Sequence, residues 1–154
     1  MAFIYRFASL LRLALHEENQ VKSRLAIKDG QIAAEEAKIK KIVDEREGAF
    51  IEQARDLTSG NMERVRMYPL YLRRLQKSQD FFEEELQRLR LQREKILVEL
   101  SAKRRARMIF EKLRERDEKR YKKLELKQDQ KRMDEFAARA GKRSATQEGR
   151  QDKD

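Results

Sequence analysis

The sequence predicts an all-α fold, a long two-helix antiparallel coiled coil (helical hairpin) with a disordered C-terminal tail. Of its 154 residues, 43% are charged and 39% are apolar, with one Pro, five Gly and no Trp. Such a composition is typical of long helices that bury a narrow seam instead of a round core. Two stretches with apolar residues at seven-residue spacing flank one turn region, which makes the hairpin the simplest arrangement.

The first predicted helix covers about residues 3–57. Two neighbouring heptad positions are apolar at nine of their twelve sites, the pattern of a left-handed coiled coil. One position contains Ile4, Leu11, Glu18, Leu25, Ile32 and Ile39, and the other contains Phe7, Ala14, Val21, Lys28, Glu35 and Ile42.

The predicted turn lies at about residues 58–68. Gly60 is a typical helix stop, and Asn61 can cap a new helix. Pro69 fits the first turn of a helix but removes a backbone hydrogen bond from a helix interior. The second helix is therefore expected to begin either at 61 or at Pro69.

The second predicted helix runs to about residue 140, and its apolar heptad positions are the partner of the first seam. Nine of these eleven positions are apolar, and the two exceptions are Gln79 and Arg93. The positions are Val65, Tyr68, Leu72, Leu75, Gln79, Phe82, Leu86, Leu89, Arg93, Ile96 and Leu100. Residues 141–154 contain one alanine as their only apolar residue and are expected to be a disordered tail.

The two helices differ in length. At about 1.5 Å per residue the first spans roughly 80 Å and the second roughly 110 to 120 Å. Pairing outward from the turn places Phe3 opposite residues 115–125, so the end of the second helix extends past its partner. Met133 and Phe136 lie on this overhang. They are expected either to fold back onto Phe3, Tyr5 and Phe7 or to bind another protein.

No catalytic, cofactor-binding or metal site is predicted, and the chain is not expected to be an enzyme. The five glycines are too dispersed for a phosphate-binding loop, and one His without Cys is too few for zinc or haem. Acidic pairs on the helices have no concave pocket around them.

Positive charge is concentrated near the end of the second helix. Residues 101–140 contain fifteen bases and eight acids, whereas residues 1–57 contain ten of each. The runs at 103–107 and 119–123 leave nucleic-acid binding as the alternative function. The interleaved acids and the scarcity of stacking aromatics fit an acidic protein partner, or simply a solvated face, at least as well, and no nucleic acid is expected.

The whole chain up to about residue 140 resembles the FliJ family of the bacterial flagellar type III protein export apparatus. The shared features are an aromatic N-terminus, a glycine turn near residue 60, a "Y..YL..L" restart and a closing "DQK.MDEFA.RA". The last is the most specific element, formed by Asp129, Gln130, Lys131, Met133, Asp134, Glu135, Phe136, Ala137, Arg139 and Ala140.

The resemblance implies a non-enzymatic stalk that links the hexameric FliI export ATPase to the FlhA export gate and assists the recycling of export chaperones. It also implies a cytoplasmic protein, peripheral on the inner membrane through its protein partners. The equivalent stalk of an injectisome or of a vacuolar-type ATPase is the related alternative.

The resemblance also implies two sets of contact residues. The residues expected to face the ATPase are Phe3, Tyr5, Phe7, Tyr121, Leu124, Met133, Asp134, Glu135, Phe136 and Arg139. Those expected to face the gate are Tyr71, Leu75, Ser78 and Phe82. Glu45 and Ala49 occupy places where aromatics are expected, which argues against a gate surface shared by both helices.

Overall fold

The computed structural model describes the backbone of residues 3–151 and the side chains of residues 3–142. Helix α1 is Ala8–Ser59 and helix α2 is Met62–Gln151, and the two long helices pack against each other. The contacts divide the chain into two compact units, Ala14–Arg105 and Met1–Leu13 with Ala106–Asp154. The predicted all-α hairpin is confirmed.

In the first unit, Ala14–Arg105, the predicted seam is the core. Its buried apolar side chains are Ala14, Val21, Ile42, Ala49, Tyr68, Leu75, Leu86 and Leu100. The other predicted seam positions in this unit are all at least partly buried. Heptad spacing therefore identified the packed face of both helices, as expected for a coiled coil.

Ion pairs fix the antiparallel register of this unit. Nitrogen to carboxylate oxygen distances are 2.7 Å for Lys103 and Glu17, 2.5 Å for Arg24 and Glu99, 2.6 Å for Arg93 and Asp29, and 2.9 Å for Arg90 and Glu36. Exposed pairs of this kind contribute at most about 1 kcal/mol each. Their main consequence is that this register brings opposite charges together, whereas a shifted register separates these four pairs.

Glu18 is the most buried charged side chain that the structure describes. It is 1% exposed, and its Oε1 lies 2.9 Å from Lys22 Nζ and 3.5 Å from Arg104 Nε. The seam tolerates this carboxylate because two cations neutralise it at the helix surface.

The turn between the helices consists of Gly60 and Asn61. Gly60 has φ of +78°, Asn61 N–H donates to Asp56 O at 3.0 Å, and Gly60 N–H donates to Leu57 O at 3.4 Å. These two bonds form a Schellman motif, which ends helix α1. Asn61 Oδ1 in turn accepts from Arg64 N–H at 3.5 Å and caps helix α2.

Helix α2 thus begins at Met62, next to the first of the two predicted starts, and Pro69 lies inside the helix. Tyr68, the residue before Pro69, is held by its hydroxyl, which donates to Asp56 Oδ2 at 2.8 Å. This hydrogen bond, together with burial, raises the pKa of Tyr68 above its usual value of 10.0.

The start of helix α1 differs from the prediction. The helix begins at Ala8 instead of about residue 3, and residues 3–5 are not helical. Heptad spacing does not apply to non-helical residues, and the predicted seam position of Ile4 is wrong because Ile4 is exposed. Phe3 and Tyr5, which alternate with Ile4, face helix α2 instead.

The end of helix α2 also differs from the predicted boundary. The helix continues to Gln151, whereas composition placed its end at about 140 and a disordered tail over 141–154. Lys, Arg, Gln and Glu are good helix formers even without apolar contacts, so a lack of apolar residues did not mark the boundary. Residues 152–154 of the expected tail lie outside the described residues.

Candidate functional site: an apolar overhang and a groove beside the turn

The second unit contains an aromatic cluster between the segment before helix α1 and the middle of helix α2. Tyr5 is buried, and its hydroxyl donates to Phe110 O at 2.8 Å. The Phe7 ring centroid lies 5.9 Å from that of Tyr5, and the Phe3 ring lies 5.7 Å from Tyr121. Four of the predicted ATPase-facing residues are thus brought together, and they hold the N-terminal segment on helix α2.

A shallow cavity of about 410 Å³ adjoins this cluster. Its lining residues are Phe3, Ile4, Asp117, Arg120, Tyr121 and Leu124. Phe3 and Tyr121 therefore have one side in internal packing and another open to the cavity, so these two aromatic rings remain accessible to a partner.

Beyond Tyr121, every described side chain up to Lys142 is exposed. The large apolar ones have exposed fractions of 60% for Leu124, 69% for Leu126, 71% for Met133 and 74% for Phe136. Met133 and Phe136 therefore do not fold back onto Phe3, Tyr5 and Phe7, and the first of the two predicted alternatives is wrong. The overhang is present, and its large apolar side chains are uncovered.

The apolar residues of the overhang lie on two different faces. Leu124 continues the spacing of Leu113, Asp117 and Tyr121, all of which are partly buried. Met133 is nine residues further, which at about 100° per residue turns it roughly 180° away from Leu124. The overhang therefore carries a second face that does not continue the seam of the hairpin.

We call this second face the overhang stripe. It consists of Leu126, Met133, Ala137 and Ala140, spaced by seven, four and three residues, with Phe136 beside them. Spacing of this kind is typical of a coiled-coil seam, and here the side chains at that spacing are exposed. Leu126 was missed from the sequence, although its seven-residue distance from Met133 signals it.

The charged candidates of the overhang are exposed but do not share the stripe. On helical geometry Glu135 and Arg139 lie within roughly 60° of the Leu124 direction, and Asp134 lies roughly 100° from Met133. Upstream, Lys122 Nζ is 2.9 Å from Glu118, and this hydrogen bond lowers the pKa of the Glu118 carboxyl. Asp134 thus lies beside the stripe, whereas Glu135 and Arg139 lie toward the opposite face.

The predicted gate-facing residues lie in the first unit, close to the turn. Tyr71 and Ser78 are exposed, whereas Leu75 is buried in the seam. Phe82 is partly buried. Its ring centroid lies 5.5 Å from that of Phe81 and 5.2 Å from the Lys38 ammonium. Leu75 and Phe82 therefore have structural contacts, and Tyr71 and Ser78 are the accessible members of the set.

The ion pair of Arg24 and Glu99 identifies the side on which these residues lie. Steps of seven residues keep to one side of a coiled coil. Such steps lead from Arg24 to Glu45 and Glu52 on helix α1, and from Glu99 to Ser78 and Tyr71 on helix α2. We call this the Arg24–Glu99 side.

A groove of about 290 Å³ is present on this side. It is lined from helix α1 by Glu45, Gly48, Ala49 and Glu52, and from helix α2 by Tyr68 and Tyr71. A neighbouring depression of about 320 Å³ extends over Met67, Leu70 and Arg74. Both helices line this groove, and helix α1 provides a small-residue floor and carboxylates where aromatics were expected. The expectation against a gate surface shared by both helices stays a prediction.

No group of three or more possible metal ligands occurs among the described side chains. Within the same part of the chain, no helix is both long enough and apolar enough to cross a bilayer.

Comparison with known proteins gives one result. A family model described as Flagellar FliJ protein matches residues 3–146, which confirms the resemblance carried by the closing motif. Neither a curated protein nor a solved structure matches the sequence.

Proposed function

We propose that this chain, which belongs to the flagellar FliJ protein family, is a non-enzymatic stalk that links the FliI export ATPase to the FlhA export gate. Membership of the family makes it a component related to flagellar protein export. The link between the two partners, the cytoplasmic face of the inner membrane as its location, and a part in recycling export chaperones are the proposed refinements.

The observation that carries the proposal is the overhang stripe. Its five apolar residues are exposed on a helix face that is turned away from the chain's own seam. Exposed apolar residues at coiled-coil spacing favour a helical or concave partner surface. We assign this surface to the ATPase ring, together with the accessible rims of Phe3 and Tyr121.

The groove on the Arg24–Glu99 side is assigned to the gate. It combines an exposed aromatic side chain, Tyr71, with the carboxylates of Glu45 and Glu52, neither of which forms an ion pair among the described residues. Aromatic side chains are frequent anchors of protein interfaces, and unpaired carboxylates favour a partner that presents bases.

Coupling between two partners requires that each binds its own surface. A chain shortened to end at Leu124 retains the contact of Phe3 with Tyr121 but lacks the overhang stripe. We expect it to lose FliI in a pull-down and to retain FlhA. The Tyr71→Ala chain is expected to retain FliI and to lose FlhA. If the shortened chain captures FliI as the full chain does, the ATPase assignment is wrong, and if Tyr71→Ala leaves FlhA capture unchanged, the gate assignment is wrong.

The flagellar family match favours this function over a stalk of an injectisome or of a vacuolar-type ATPase. It also favours a protein partner over nucleic acid for the basic residues 101–140.

A further inference from the structure

The hairpin has a second side near the turn, opposite the groove. The ion pair of Glu36 and Arg90, at 2.9 Å, identifies it in the same way. Steps of seven residues lead from Glu36 to Val43, Phe50 and Leu57, and from Arg90 through Gln76 to Pro69 and Met62. We call this the Glu36–Arg90 side.

Helix α1 presents an apolar stripe there, and the part of the stripe nearest the turn is uncovered. Val43, Phe50, Ala54 and Leu57 follow one another at steps of seven, four and three residues. Val43 is half-buried, whereas Phe50 is 52% exposed and Leu57 is 53% exposed, although both lie next to the packed seam. The stripe is about 21 Å long at 1.5 Å per residue, which is the length of a four-turn helix.

Helix α2 forms the other wall of this side, with residues at steps of three and four. Met62, Arg66, Pro69 and Arg73 are separated by four, three and four residues, and Met62 is 54% exposed. Arg66 and Arg73 are exposed, and neither forms an ion pair among the described residues. This wall is therefore apolar and positively charged.

We propose that the Glu36–Arg90 side binds an amphipathic helix that carries acidic residues. Its apolar residues would pack on Phe50, Leu57 and Met62, and its acids would face Arg66 and Arg73. A third helix added to a two-helix seam buries such a flanking stripe without disturbing the existing core.

Charge selects the partner. Exposed, unpaired arginines beside an apolar stripe discriminate against basic helices because like charges facing each other are unfavourable. Glu47 is the acid on the helix α1 stripe, and it lies between Val43 and Phe50, away from the part of the stripe nearest the turn. The positive charge of Arg66 and Arg73 therefore dominates near the turn.

A second copy of this chain fits the site less well. Two copies related by a two-fold axis would bring Arg66 and Arg73 of each against the same basic surface of the other.

The proposal does not depend on the assigned ATPase and gate surfaces, and its test uses neither partner. The probe is a synthetic helical peptide of about 18 residues with Leu at the a and d positions and Glu at the e and g positions. A matched peptide carries Lys in place of Glu. Binding of each labelled peptide to the full chain is measured by fluorescence anisotropy.

We expect the Glu peptide to bind at least about tenfold more tightly than the Lys peptide, and Arg73→Glu to remove most of that preference. Phe50→Asp should lower the affinity of the chain for the Glu peptide by roughly tenfold or more, since it places a charge on the apolar stripe. Leu91→Asp is the matched control, since it makes an apolar-to-Asp change at a side chain that is 61% exposed and outside the stripe, and it should bind like the natural chain. Circular dichroism verifies that each variant keeps its helicity.

Equal binding of both peptides would overturn the proposal, as would Glu-peptide affinity unaffected by Phe50→Asp. A dimer seen in sedimentation equilibrium and abolished by Phe50→Asp would assign the surface to a second copy instead. If Phe50→Asp loses helicity, the Arg73→Glu result decides, because Arg73 is exposed and outside the seam.

Discussion

Replacing Leu86 with Asp is expected to unfold the hairpin. Leu86 is 7% exposed in the middle of the seam, and the cation one turn later, Arg90, is already paired with Glu36. Loss of its packing costs about 2 to 5 kcal/mol, and burial of an unpaired carboxylate adds several more. Because small domains are stable by only about 5 to 15 kcal/mol, this single change removes most of the folding free energy.

The measurement is helicity by circular dichroism with thermal or urea unfolding. Leu91→Asp is the matched control, since it makes the same change five residues later at a side chain that is 61% exposed. The control should unfold close to the natural chain. If Leu86→Asp has the same helicity and melting temperature as the natural chain, the seam is not the core.

Replacing Phe136 with Ala is expected to reduce stimulation of the FliI ATPase without changing the fold. Phe136 is exposed, so its removal creates no cavity in the chain itself. Aromatic anchors at the centre of an interface contribute about 2 kcal/mol or more, which corresponds to roughly thirtyfold in affinity. We therefore expect a right shift of the stimulation curve of about that size.

ATP hydrolysis by FliI, titrated with each variant, measures this effect. Phe81→Ala provides the control of matched residue type, because Phe81 is 58% exposed but lies in the other unit. Its stimulation curve should overlay that of the natural chain. Identical curves for Phe136→Ala and the natural chain would remove the overhang stripe from the contact with FliI.

The seam and the overhang were predictable because both depend on residue spacing. Seven-residue spacing identified Leu86 and Leu100 as core, and counting outward from Gly60 placed Phe3 near Tyr121. The glycine stop was also predictable, since only a residue tolerant of positive φ suits the Schellman position.

Features that depend on contacts distant in sequence were not predictable. The bond from Tyr5 to Phe110 O joins residues more than a hundred positions apart, and it holds the N-terminal segment outside the helix. The groove at Gly48 and Tyr71 likewise depends on both helices. The overhang stripe was only half recognised, because Leu126 is out of phase with Leu124 and the seam pattern hid the change of face.

The most direct measurement of the overhang's role uses the absence of cysteine from the chain. A Met133→Cys variant carries a single thiol on the overhang stripe, and a Val98→Cys variant carries one at a site of similar exposure in the other unit, 73% against 71%. Reaction with a thiol reagent should be equally fast for both in the free protein, and addition of FliI should slow only the thiol at position 133. A slow reaction at 133 in the free protein, or a rate there that FliI leaves unchanged, would contradict an uncovered stripe that binds the ATPase.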